Sequence, residues 1–292
     1  MALTGLIKRL ATGIVYVACI VCSLIFFNGW AFMSLCMLFC GLAIIELQHL
    51  LPMHVSKGRG LLRGLDLAAG LLCVALPPIN LLVAIFAGEW NLMLGGGIAL
   101  MCLLLLYIAR FVAQLYVHSS NSVTDMAGSM FGFMYIAVPL TLLSMLYSLY
   151  GSPLVLAMFI MIWLNDTGAF CVGSLIGRRR LFERISPKKS WEGFWGGMLF
   201  CVASAFLIKY CFGDYSTGMG IWQLCGMGVV VSVFSTWGDL VESLIKRTIG
   251  VKDSGTLLPG HGGILDRIDS LLITAPAVFI YTGILLLLGS LA

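Results

Sequence analysis

Ser243–Asp269 reads SLIKRTIGVKDSGTLLPGHGGILDRID, a polar stretch set between an apolar run that ends at 238 and another that begins at 271. Extended back to Asp239, it holds five carboxylates (Asp239, Glu242, Asp253, Asp266, Asp269) and four cations (Lys246, Arg247, Lys252, Arg267), in a chain only 10% charged. A patch of one sign would suit adhesion to a lipid surface. Interleaved signs beside a His-Gly-Gly turn suit a divalent metal together with phosphate groups. If the helix reaching Asp239 continues, then Asp239, Glu242, Ser243 and Lys246 share one face. Asp266 and Asp269, three apart and just after Gly262-Gly263, fall in the first turn of the next helix. Two helix ends would then aim carboxylates at one ion, with Lys246, Arg247 and Lys252 placed to neutralise anionic oxygens.

Outward from this stretch the chain is apolar. Of its 292 residues 60% are hydrophobic, and its mean hydropathy is +1.04, well above a soluble domain. Runs of spanning length occur at about 10–27, 30–48, 67–87, 92–109, 127–146, 154–176, 194–212, 221–238 and 271–290. The expected fold is therefore an all-α polytopic integral membrane protein of about nine transmembrane helices with cytosolic catalytic loops. Residues 1–126 would form about four spans and a cytosolic amphipathic loop. Residues 127–292 would form about five more, carrying the polar motifs at 165–193 and 239–269. The first run reads as an uncleaved helix, and Pro77-Pro78 predict a kink in the third. An N-terminus in the cytosol puts every basic residue but Lys209 on that side, so the positive-inside rule orients the chain with its C-terminus outside. A compact chain without an extended soluble N-terminal region points to a bacterial inner membrane.

A second polar segment begins inside the sixth run. Asn165-Asp166 costs free energy there unless it faces protein, a cavity or an ion. It is followed by Arg178-Arg179-Arg180 and by Ser186-Pro187-Lys188-Lys189-Ser190-Trp191-Glu192-Gly193, whose lysines and hydroxyls suit a triphosphate or a lipid phosphate. Other polar residues read blandly. Arg178–Arg180 set topology, Glu46 with His49 and His54 forms an interfacial cluster, and 110–126 is an interfacial helix whose His118 and Asp125 face solvent. Cys19-x-x-Cys22 and Cys36/Cys40 lie inside spans without polar surroundings, so neither a zinc site nor a disulfide is expected.

The pattern Ser243-x-x-Lys246-Arg247-x4-Lys252-Asp253-x5-Pro259-x-His261-Gly262-Gly263-x-x-Asp266-Arg267-x-Asp269 resembles the C-terminal signature of the phosphatidate cytidylyltransferases, or CDP-diacylglycerol synthases. Asn-Asp-x-Gly-Ala-Phe at 165–170 and Ser-Pro-Lys-Lys-Ser-x-Glu-Gly at 186–193 resemble the same family's preceding motifs. The resemblance implies a membrane enzyme that makes CDP-diacylglycerol and pyrophosphate from CTP and phosphatidic acid. Asp239, Asp266 and Asp269 would hold Mg²⁺, and with Lys246 and His261 would form the catalytic set. Lys188, Lys189, Ser190, Ser243, Arg247, Lys252, Gly262, Gly263, Arg267 and Asp166 would meet the substrates. A second, monovalent ion and a homodimer are left open, membrane lipids are the surroundings, and no nucleic acid is expected.

Two other classes compete. A CTP-dependent kinase of a polyprenol or dolichol-type lipid would share the metal and triphosphate requirements but release CDP. An ion-coupled transporter would use Asp166 and Asp239 as carriers, but needs charge near the midplane and a path to both sides. Here charge collects at one face.

Overall fold

An unpaired backbone N–H or C=O costs several kcal/mol in a bilayer, which is why apolar runs of this length fold as helices. A computed structural model describes the backbone of residues 2–26, 29–51, 58–87, 89–212, 218–255 and 262–289. It describes the side chains of those residues apart from 2–12 and 80–96. In order the elements are α1 (Ala2–Ile25), α2 (Trp30–Leu50), α3 (Arg59–Ala87), α4 (Glu89–Tyr116), α5 (Ser122–Gly132), a π-helical turn (Phe133–Ala137), α6 (Val138–Ile176), β1 (Arg180–Phe182), β2 (Ser186–Ser190), α7 (Trp191–Phe212), α8 (Ile221–Ile249) and α9 (Leu265–Leu287). Seven helical stretches among the described residues are long and apolar enough to cross a membrane. Among the described residues the protein is an all-helical integral membrane protein apart from the β1–β2 hairpin.

The chain divides into two compact units, one of residues 1–148 with 253–266 and the other of 149–252 with 267–292. In the first, α2 and α4 both pack on α3. The buried side of α2 carries Phe32, Cys36, Phe39, Cys40, Ala43 and Leu47, at the three- and four-residue spacing of one helix face. Helix α3 runs from Arg59 to Ala87 through Pro77 and Pro78, where the sequence predicts a kink. The expected interfacial helix over 110–126 is two pieces. Its start is the end of α4, and Asn121 then caps α5 by accepting from Thr124 N–H at 3.1 Å. His118 is exposed as expected. Asp125 is instead 3% exposed and accepts from the Ser119 hydroxyl at 2.5 Å.

In the second unit α7 packs on α8. Lipid offers no hydrophobic drive between helices, so close contact relies on small residues. Gly228 of α8 lies against the backbone of α7 at Cys201 and Val202, and Gly238 of α8 against α9 at Asp269 and Ser270. Helix α8 stops at Gly250, whose φ of 82° favours glycine. There Val251 N–H donates to the Lys246 carbonyl at 2.9 Å, and Gly250 N–H to that of Arg247 at 3.2 Å.

Candidate active site

Four elements of the second unit bring the polar motifs together. On α6, Asn165 is 1% exposed, and its amide binds a hydroxyl stripe on α8. Asn165 Nδ2 donates to Ser235 Oγ at 3.0 Å, and Ser232 Oγ donates to Asn165 Oδ1 at 2.7 Å. Both ends of a buried amide are thereby satisfied, fixing the level of α6 against α8. Asp166, the next residue, remains accessible.

Residues 178–190 supply the second element, and the structure makes them an antiparallel hairpin in which Arg180 pairs with Ser190 and Phe182 with Ser186. Glu192 anchors its start by accepting from the backbone N–H groups of Arg178 and Arg179 at 3.1 and 3.2 Å. Ser190 is buried and caps α7, accepting from Gly193 N–H at 3.1 Å. With both ends held, β2 delivers Lys189 to α8. Its Nζ lies 2.6 Å from Asp239 Oδ2 and donates to the Thr236 carbonyl at 3.4 Å. Lys188, its neighbour, is exposed.

Helix α8 carries the expected polar face. Ser243 Oγ donates to Asp239 Oδ1 at 3.2 Å, and Lys246 pairs with the buried Glu242 one turn away. The contact at Gly238 brings Asp269 of α9 beside Asp239, because a side chain there would strike the backbone of α9. The result is a cluster in which Asp166, Asp239 and Asp269 act on one another electrostatically, with Lys189 among them. Among the described residues no three His, Cys, Asp or Glu side chains are assembled at ligating distance. Arg247, Lys252 and Arg267 are exposed.

Asp266 belongs to the first unit. Its Oδ2 accepts from Ser254 N–H at 2.9 Å, Ser254 Oγ at 2.9 Å and Gly263 N–H at 2.8 Å. Glu46 completes this arrangement, taking Ile264 N–H at 2.8 Å and Leu265 N–H at 2.9 Å, with its Oε2 3.2 Å from Ser254 Oγ. Two carboxylates thus take the N–H groups of Gly263, Ile264 and Leu265 at the start of α9 and complement its dipole. A Cβ on Gly263 would collide with Ser254 Oγ and the Glu46 carboxylate, and one on Gly262 with that of Asp266. These glycines leave room for the chain's own carboxylates. His261 lies outside the described residues. Glu46, read from sequence as a water-facing interfacial group, is a cap for a helix more than two hundred residues away.

Sequence reading passed over Asn165 as a hub, Glu46, Ser254 and Glu192 as an anchor. For Asn165 a signal existed in Ser232, Ser235 and Thr236, hydroxyls at helical spacing in an otherwise apolar run. For Glu46 there was none, since its partners are distant in sequence.

Apolar helices of spanning length that carry a cluster of three aspartates with a lysine among them define an integral membrane protein with a charged site. More particularly, the chain belongs to the cytidylyltransferase family, whose model matches residues 7–285. It is 38% identical over 238 residues to a phosphatidate cytidylyltransferase of Staphylococcus aureus (strain COL), covering 80% of this chain and 84% of that one. A Staphylococcus epidermidis phosphatidate cytidylyltransferase (strain RP62A) is 39% identical over the same length and coverage. A third, from Staphylococcus saprophyticus, is 37% identical over 240 residues with the same coverage.

Proposed function

We propose that this chain is a phosphatidate cytidylyltransferase, a nucleotidyltransferase that joins CTP and phosphatidic acid into CDP-diacylglycerol and releases pyrophosphate. Family membership supports the reaction, and one observation of the site carries it to particular residues: Lys189 held against Asp239, with Asp166 and Asp269 in electrostatic reach. A phosphate oxygen of the lipid attacks the α-phosphorus of CTP. A new P–O bond forms, the bond from the α-phosphorus to the bridging oxygen breaks, and pyrophosphate leaves. The oxygen is already anionic and needs no strong base. The protein's task is to bring two repelling anions together and to stabilise the charge that shifts between them. Lys189 supplies a cation inside the cluster, and Lys188, Arg247 and Lys252 supply exposed cations for the remaining phosphate charge.

The donor chemistry fits Mg²⁺. The ion takes hard oxygen ligands, keeps several waters, and commonly needs only one or two carboxylates besides substrate phosphates. Asp239 and Asp269 are our choice for that share, with Asp166 as the neighbouring charge, while Asp266 is committed to Ser254 and Gly263. When bound, the ion would neutralise triphosphate oxygens. Ser243 and Lys189 hold Asp239 in place.

Length supports nine crossings. Ser122–Ile176 is one helical stretch of 55 residues, roughly twice the twenty or so that a bilayer needs, and Gly151 breaks it with φ 76° and ψ −176°. Counted as two spans, and with α1 added to the other six stretches, it gives nine. The charge asymmetry supports a cytosolic site and N-terminus with the C-terminus outside, in a bacterial inner membrane.

The test uses purified protein, phosphatidic acid and CTP labelled at the α-phosphate. Label entering the lipid in the presence of Mg²⁺ is expected. Label entering a lipid alcohol only from γ-labelled CTP would identify a lipid kinase and overturn the reading.

A further inference from the structure

Asn165 differs from other polar residues of α6 in where its bonds go. Thr167 donates to the Trp163 carbonyl at 2.8 Å and Ser174 to that of Cys171 at 3.0 Å, so each hydroxyl is satisfied on its own helix. Asn165 is 1% exposed and bonds instead to α8. Its amide accepts from Ser232 Oγ at 2.7 Å and donates to Ser235 Oγ at 3.0 Å, with Thr236 Oγ1 at 3.4 Å. Helix α7 closes on the same group, for a Cβ on Gly197 would lie 2.7 Å from Asn165 Oδ1. Three helices therefore meet at one amide.

A buried amide in a spanning helix costs free energy unless both of its ends are matched. Here they are matched at one register of α6 against α8, as a single buried Asn specifies register between the helices of a coiled coil. The register has a chemical consequence, because the same face of α8 carries the charged site. From Ser232, the residues Ser235, Thr236 and Asp239 follow at three, four and seven positions. Thr236 is met from two sides, its hydroxyl by Asn165 and its carbonyl by Lys189 Nζ at 3.4 Å. Lys189 in turn holds Asp239. Asp166 directly follows Asn165, takes a hydrogen bond from its side chain, and lies in electrostatic reach of Lys189 and Asp239.

Granted the function proposed above, on which this rests, we infer that Asn165 is a positioning residue of the reaction: its amide sets α6 against α8 so that Asp166 stands beside the Lys189–Asp239 pair. Asn165 itself is assigned no contact with the reacting atoms, and its effect passes through Asp166. An amide suits the task because it accepts and donates in one fixed plane, whereas a hydroxyl rotates and can turn back to its own helix. Ser235 shows that alternative, its hydroxyl lying also 3.4 Å from the Ser232 carbonyl.

The test replaces the amide and its partners together. Asn165→Leu with Ser232→Ala and Ser235→Ala exchanges donors and acceptors for apolar groups of similar shape, a change that can leave stability nearly unaltered. The full chain is purified in detergent, and kcat and KM for CTP are measured beside melting temperature. Asp166 is followed separately, by coupling glycinamide to it with a water-soluble carbodiimide and counting the modified peptide by mass spectrometry, a readout that needs no turnover. The expected result is a fall in kcat of about tenfold or more with KM for CTP kept, as for a slightly misplaced group in a reaction centre. Modification of Asp166 is expected to be severalfold faster, at an unchanged melting temperature. Should the triple variant fail to fold, Asn165→Ala, which leaves Ser232 and Ser235 able to bond within α8, is read in the same two assays. A retained kcat, or modification of Asp166 at the rate of the unaltered chain, would overturn the proposal. An unaltered chain that makes no CDP-diacylglycerol would instead overturn the proposed function, and the modification of Asp166 would still decide whether Asn165 positions it.

Discussion

Asp266 and Asp269 are three residues apart on the same helix, yet their surroundings are opposite. Asp266, like Glu46, is surrounded by donors: Ser254 and Gly263 give it N–H and O–H groups, and Glu46 takes two more N–H groups at the start of α9. Asp269 takes one N–H, that of Ser270 at 2.6 Å, and otherwise faces Asp239 and Asp166, with one lysine to offset three carboxylates. Carboxylates bound to backbone N–H groups hold structure together. Carboxylates crowded against their own kind oppose folding and are retained where a cationic ligand relieves them.

The contrast sets what each substitution should do. Lys246→Met removes the ammonium that faces buried Glu242, and loss of one partner from a buried pair should destabilise the protein on the order of 3 kcal/mol, read as a fall in melting temperature in detergent. Asp239→Asn keeps the shape but not the charge. It should lower kcat by roughly 10²–10³, the scale for loss of one electrostatic contact in a reaction centre, with melting temperature unchanged or raised because repulsion is relieved. Glu46→Gln weakens the acceptor for Ile264 and Leu265, and should cost about 1–3 kcal/mol of stability, again read by melting. Lys188→Ala removes an exposed cation, and the expected effect is the smallest, a severalfold rise in KM for CTP that fades as salt is added.

Much of the membrane fold is legible in the sequence, because a bilayer allows an apolar run of twenty residues little else than a helix. The face Asp239, Glu242, Ser243 and Lys246 is legible for the same reason, since a period of 3.6 places its members together without tertiary information. What escapes depends on partners far along the chain. Lys189 and Asp239 are fifty residues apart, and nothing local in Ser-Pro-Lys-Lys-Ser says that its second lysine, and not its first, turns toward α8; the hairpin decides that. Nor does the spacing of Asp266 and Asp269 reveal that the loop at Ser254 claims one carboxylate and α8 faces the other. Gly262 and Gly263 are conspicuous in the sequence as a place for close approach, but what approaches them is Asp266 and Glu46.

The central claim is tested most directly by placing Asp266→Asn beside Asp269→Asn and titrating Mg²⁺ against CDP-diacylglycerol formation, with melting temperature measured on the same samples. The account predicts that Asp269→Asn raises the Mg²⁺ concentration for half-maximal activity at least tenfold with its melting temperature kept, and that Asp266→Asn loses melting temperature with its Mg²⁺ requirement kept. A raised Mg²⁺ requirement in Asp266→Asn with no loss of stability, and none in Asp269→Asn, would contradict it.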